Sequence, residues 1–245
     1  MVGRASALLA LGVGLGLYYA LHDRLWDAST WWDIAFLSFV LIPACFALVW
    51  IMLPLWSWRW IGLAGIGFGV VALLFHLIGW STPENFCKLI GVSAVGFWFL
   101  GFFETLSWVV LVSLIVPWVD AYSVWRGPTK VIVTEHREVF TSFSFAFPIP
   151  GQPNAANLGL PDLLFFALFL GAAARFALRV RLTWLLMTLS FGATLALAVW
   201  RELGGLPALP LLALGFLLPN ADLLWERLRP RPEPDRPSPE PGGRS

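Results

Sequence analysis

The chain breaks into eight apolar runs, each close to the roughly 20 residues that a helix needs to cross a bilayer's hydrocarbon core. They occupy residues 5–21, 32–53, 60–80, 86–103, 107–124, 160–178, 182–200 and 206–225. Backbone at bilayer depth must satisfy its own hydrogen bonds, and continuous apolar runs of this length do so as helices. The expected fold is therefore all-α, a polytopic transmembrane helix bundle of about eight spans. Composition agrees, since charged residues make up only 13% of the chain against 58% hydrophobic. A soluble domain carries about 25% charged residues, so this chain lacks the means to cover a water-facing surface. Many of the 15 tryptophans stand near run ends, among them Trp31, Trp32, Trp56, Trp58, Trp60, Trp80, Trp108, Trp125, Trp200 and Trp225. That is where amphipathic rings settle at headgroup level.

The same numbers exclude several functions. A formal net charge of +1 provides no basic field for nucleic acid. Cys45 and Cys87 lie in or beside apolar runs and read as small buried hydrophobes. The three histidines, His22, His76 and His136, are scattered and show no metal-ligand spacing, so no metal site is expected. Arg4 followed by an apolar run resembles a signal peptide, but the bulky Tyr18-Tyr19 stretch offers no small-residue cleavage site. A retained first helix is the expectation.

Residues 1–228 form one expected transmembrane domain, with N-terminal helices over 1–104 and a second group over 105–228. Asp23-Arg24, Ser81 to Asn85 and Glu202 to Gly205 read as turns. A loop over 126–158 opens polar, with Lys130, Glu135, Arg137 and Glu138, and then turns aromatic. Phe143, Phe145 and Phe147 alternate there with smaller residues, which fits either a strand or an interfacial loop dipping its rings into headgroups. The tail over 229–245 is rich in proline and charge and is expected to be disordered. The arginines and lysines divide unevenly between the two faces, which favours cytoplasmic termini with the 126–158 loop outside.

Against this apolar background three short stretches stand out: Asp120 near the end of the fifth run, Asp162 at the start of the sixth, and Pro207-Ala208-Leu209-Pro210 opening the eighth. A carboxylate at bilayer depth is expensive and marks a functional site by default. Each aspartate alone has a simpler reading, an interfacial residue for Asp120 and a first-turn acid complementing the helix dipole for Asp162. Together they sit on consecutive helices whose antiparallel pairing would bring both to one membrane face. Two adjacent carboxyl groups share protons, so that one acts as general base for water and the other as general acid. The proline element either kinks a helix and frees backbone carbonyls for a substrate strand, or is a loop leading into a helix.

These residues resemble the GxGD intramembrane aspartyl proteases, the presenilin and signal peptide peptidase family, in a divergent prokaryotic form. Asp120 with Ala121-Tyr122-Ser123-Val124 resembles the first catalytic helix. Leu158-Gly159-Leu160-Pro161-Asp162 resembles the second motif, with Pro161 where the family has glycine. Pro207-Ala208-Leu209-Pro210 resembles its PALP element. The resemblance covers about residues 107–225 and implies catalytic Asp120 and Asp162. It also implies a substrate-binding surface at Gly159, Leu160, Pro161, Pro207, Ala208, Leu209 and Pro210. It further implies transmembrane peptides as substrates, the lipid bilayer as surroundings and no cofactor, with the plasma membrane of a prokaryote as the expected location. A catalytically inactive membrane chaperone or adaptor, and a proton-coupled transporter, are the alternatives from other classes.

Overall fold

The computed structural model describes residues 2–126, 141–201, 203 and 206–229. The polar first part of the 126–158 loop, including Lys130, Glu135, Arg137, Glu138 and Phe140, lies outside the described residues, as do Glu202, Gly204, Gly205 and nearly all of the tail.

Each of the eight apolar runs is helical. Helix α1 spans Val2–Leu21 and is followed by α2 (Thr30–Phe36) and α3 (Ile42–Met52), joined by one π-helical turn, Leu37–Leu41. Pro43 lies in the first turn of α3 and has no N–H to offer the preceding turn, a common reason for such a local widening. Then come α4 (Ile61–Leu77), α5 (Ser81–Phe99) and α6 (Leu106–Arg126). A hairpin follows, β1 (Ser144–Pro148) and β2 (Ala155–Gly159), and the chain continues into α7 (Leu160–Arg175), α8 (Val180–Trp200), α9 (Leu209–Leu217) and α10 (Ala221–Leu228). Five helical segments are long and apolar enough to cross a membrane: Thr30–Ser57, Ser81–Phe102, Leu106–Val124, Val180–Trp200 and Leu209–Leu228. Their outward faces are apolar, with Phe39, Phe102, Trp118, Trp200 and Leu218 all more than half exposed, as expected of a membrane protein.

One reading changes and two open alternatives are decided. Residues Ser81 to Asn85 are the first turns of α5 and not a separate turn. Serine, threonine, proline and glutamate are turn formers but also favoured helix starters, and here the second role wins. The aromatic part of the 126–158 loop is a strand, antiparallel to β2, with Phe145 opposite Leu158 and Ala146 opposite Asn157. Phe145 and Phe147 point into protein and are buried, while Phe143 is exposed. Finally, α9 starts at Leu209, so Pro207 precedes it and Pro210 sits in its first turn. Neither proline kinks a helix interior.

Helix α7 is the central post, with a run from Phe166 to Ala173 fully buried. Small residues let its neighbours approach backbone to backbone, which is how helices pack where lipid supplies no hydrophobic drive. A Cβ on Gly96 of α5 would stand 2.6 Å from the Leu164 carbonyl oxygen of α7, and one on Gly215 of α9 would stand 2.9 Å from the Met187 backbone of α8. Aromatic rings fill what remains: Phe46 stacks on Phe191 at 5.0 Å between centroids, and Phe169 on Phe216, also at 5.0 Å.

The hairpin is tied down from beneath. Asn85 makes a two-way bond with Ala146 of β1, donating to its carbonyl and accepting from its N–H, both at 2.8 Å. The Tyr19 hydroxyl donates to the same carbonyl at 2.7 Å, and Tyr18 donates to Pro148 at 2.6 Å. At the hairpin's tip Gly151 has φ of +69° and donates its N–H to the His22 carbonyl at 2.7 Å. A side chain there would clash with the backbone of Asp27 at 2.6 Å, so this turn needs glycine on both counts.

Candidate functional site

Strand β2 runs without a break into α7. Gly159 pairs with Ser144 as the last residue of the strand, and Leu160 donates its N–H to Phe143 at 3.1 Å. Gly159 is also the N-cap of α7, which puts Leu160, Pro161 and Asp162 at its first three positions. Proline suits this turn, because its missing N–H would have had no helical partner. Asp162 therefore follows Pro161 in unbroken helix. Its carboxylate reaches back to accept the Gly159 N–H, the acidic half of a capping box. Pro161 itself is exposed, and Asp162 is half-buried.

Asp120 lies in the last third of α6, three residues beyond Pro117. That proline removes the N–H that would bond the Ser113 carbonyl and so loosens the helix just before the carboxylate. The Asp120 carboxylate accepts the backbone N–H of Leu209 at 3.1 Å. Leu209 opens α9, so Asp120 caps that helix from another element, where orphan N–H groups and the helix dipole both favour an anion. Pro207, Ala208 and Leu209 are buried and Pro210 half-buried, and α9 packs along α6.

Three elements far apart in sequence thus meet at one place. The two carboxyl groups are close enough to interact electrostatically, and the Pro207–Pro210 element is bonded to one of them. Each carboxylate also holds one backbone N–H, which fixes its orientation. The residues gathered here are half-buried carboxylates, exposed proline and backbone amides. Among the described residues no group of three or more His, Cys, Asp or Glu side chains stands ready for a metal ion.

Sequence reasoning did not single out the Leu209 N–H as Asp120's partner, because a backbone donor leaves no mark in residue identity. It also missed Asn85, whose side chain substitutes for a third strand beside β1. An amide within a Ser-Thr-Pro-Glu-Asn stretch reads as turn chemistry unless the strand it serves is already known.

Compared with known proteins, the chain matches no protein-family model, and no curated protein matches it.

Proposed function

We propose that the chain is an intramembrane aspartyl endopeptidase that hydrolyses peptide bonds within or near transmembrane segments, with Asp120 and Asp162 as its catalytic pair. The observation that carries this reading is the bond by which Asp120 of α6 holds the Leu209 N–H at the start of α9, with Asp162 on α7, a helix packed against both α6 and α9, within electrostatic range of it. Two neighbouring carboxyl groups with one proton between them can do both halves of amide hydrolysis. The ionised group takes a proton from water as its oxygen attacks the carbonyl carbon, and the protonated group donates to the carbonyl oxygen. The tetrahedral diol then collapses, the C–N bond breaks, and a proton passes to the leaving nitrogen. No cofactor is needed.

Water has to reach the pair, and the length of α7 supports this. Its 16 residues rise about 24 Å, less than the ~30 Å hydrocarbon core. A short helix that begins only where the hairpin ends brings its first turn below the usual headgroup level, and the bilayer thins to meet it. On this reading all eight helical segments cross or enter the membrane in a presenilin-like arrangement, in a prokaryotic plasma membrane. The substrates are transmembrane peptides such as spent signal peptides or stubs. An unwound substrate would run beside β2, whose second edge pairs with no other strand among the described residues, and over the Pro207–Pro210 element toward the carboxyl pair.

The test is cleavage of a helix-destabilised transmembrane peptide by the purified protein and by Asp120→Ala and Asp162→Ala. Each variant is expected to lose all activity while keeping its helical circular dichroism. Undiminished cleavage by either one removes the mechanism. Substrate crosslinking that persists in both variants, with no product from the native protein, would point to an adaptor.

A further inference from the structure

A second polar site lies on the same membrane face, behind the hairpin. It is a cavity of about 600 Å³ between the ends of α1 and α4, the start of α5 and the inner side of β1 and β2. Neither Asp120 nor Asp162 lines it. The lining is polar for a protein of this composition, with Tyr19, His76, Glu84, Asn85, Lys88 and Asn157 all facing the space. Ligand cavities commonly measure about 300–1,000 Å³ and carry a few convergent polar groups.

The charges are its most informative feature. The Glu84 carboxylate meets the Lys88 ammonium at 2.5 Å and His76 Nδ1 at 3.2 Å. The Lys88 and Glu84 side chains are only 14% and 12% exposed, so this ion pair has lost most of its hydration. Surface pairs one helical turn apart are usually well solvated and contribute little. A desolvated pair that opens onto a void instead offers a cation and an anion side by side to an incoming group of the opposite pattern. Such a group is a small zwitterion. The cavity's depth narrows the choice, because it opens where α4 ends and α5 begins. Trp80 stands there 60% exposed, at the level where tryptophan marks the headgroup layer. A zwitterion that belongs at that level and carries N–H donors for a carboxylate is phosphoethanolamine.

We propose that this cavity binds a phosphoethanolamine headgroup, with Lys88 and His76 on the phosphate and Glu84 on the ammonium. Asn85 and Asn157 connect such an occupant to the hairpin. Asn85 clamps β1 through Ala146, and Asn157 of β2 lies two residues before Gly159 and accepts a hydrogen bond from Ser144 at 3.1 Å. A bound headgroup would therefore stiffen the strand that leads into α7, whatever reaction occurs there.

The test uses the full-length protein in detergent and follows its thermal unfolding and lipid binding. Phosphatidylethanolamine is added in one arm, and its mono-, di- and trimethylated forms with the same acyl chains in others. Phosphatidylglycerol and free O-phosphoethanolamine complete the set. Stabilisation is expected to fall stepwise with N-methylation, because each methyl removes a donor to Glu84, and free O-phosphoethanolamine in excess is expected to displace the lipid. Glu84→Gln should weaken phosphatidylethanolamine binding about tenfold or more, the effect of losing one charged partner, and erase the preference over the trimethylated form. Equal stabilisation by the ethanolamine and choline lipids overturns the proposal without requiring any variant to fold. So does a preference that survives Glu84→Gln, or a free headgroup that fails to compete. Competition by a polar substrate-derived peptide in place of the headgroup would also overturn it, and would make the cavity a peptide site.

Discussion

Replacing Gly159 with alanine separates the geometry of the candidate site from the stability of the fold. Gly159 has φ −59° and ψ 141°, a conformation any L-residue adopts. Its N–H, which serves Asp162, is untouched by the change. Alanine also narrows the unfolded chain's freedom, so the fold should gain about 0.4–1 kcal/mol. Against this stands one contact: the new Cβ would lie 3.2 Å from Asp162 Oδ2. Ordinary contact begins a few tenths of an ångström farther out, so the carboxylate must swing away. The Pro161 ring, at 3.6 Å from the same point, needs no adjustment. If Asp162 acts as proposed above, small displacements of it weigh heavily on rate, and a barrier increase of about 1.4 kcal/mol is a tenfold loss. The expected outcome is therefore kcat down about tenfold, with unfolding temperature unchanged or raised by about 2–4 °C. Single-turnover cleavage of a transmembrane peptide, beside thermal unfolding of the same preparation, reads both. Full activity in Gly159→Ala refutes the link between this contact and the carboxylate. A clear loss of stability refutes the reading of Gly159 as tolerant backbone.

Three further substitutions probe the supports around the site. Pro161→Gly is expected to keep cleavage within a few-fold of native and to lower stability by about 0.4–1 kcal/mol, because proline already fits the first turn of α7; a large gain in rate would show instead that Pro161 restrains Asp162. Asn85→Ala removes the acceptor of the Ala146 N–H and one of the two donors to its carbonyl, which keeps the Tyr19 hydroxyl, and the half-buried N–H left without a partner costs about 1–3 kcal/mol. Faster amide exchange across Ala146 and Asn157 would report the loosened hairpin, and unchanged exchange would count against the clamp. Gly96→Ala drives a methyl to within 2.6 Å of the Leu164 carbonyl and 2.9 Å of Ala167. Overpacking of this kind costs about 1–3 kcal/mol, and because α7 carries Asp162, activity should fall along with unfolding temperature.

The helices could be read almost directly from hydrophobicity. Runs of apolar residues at bilayer length leave the backbone no other way to satisfy itself, and all eight runs are helical. Their boundaries were less legible where one residue type serves two purposes. The Ser81 to Asn85 stretch reads as a turn until α4 packs alongside and it starts α5 instead. Five segments reach full spanning length, while α4, at 17 residues, and α7, at 16, fall short. In α7 the reason is tertiary: β2 pairs through Gly159 with Ser144, and the helix begins only once that ladder ends.

The candidate site divides in the same way. Asp120, Asp162 and Pro207–Pro210 announce themselves in the sequence because charge and paired prolines are costly in apolar helices, and that cost is local. Nothing local says that Leu209 donates its N–H to Asp120 across 89 positions of sequence, or that the two carboxyl groups interact. Backbone donors carry no residue identity, and a short hairpin's register depends on what clamps it from outside, here Asn85 and Tyr19. Sequence alone determined which residues are too expensive to be incidental. The tertiary structure decided how they are placed, because close contacts at Gly96 join α5 to α7 and those at Gly215 join α8 to α9, while α9 packs on both α6 and α7 and so holds their aspartate-bearing ends at one face.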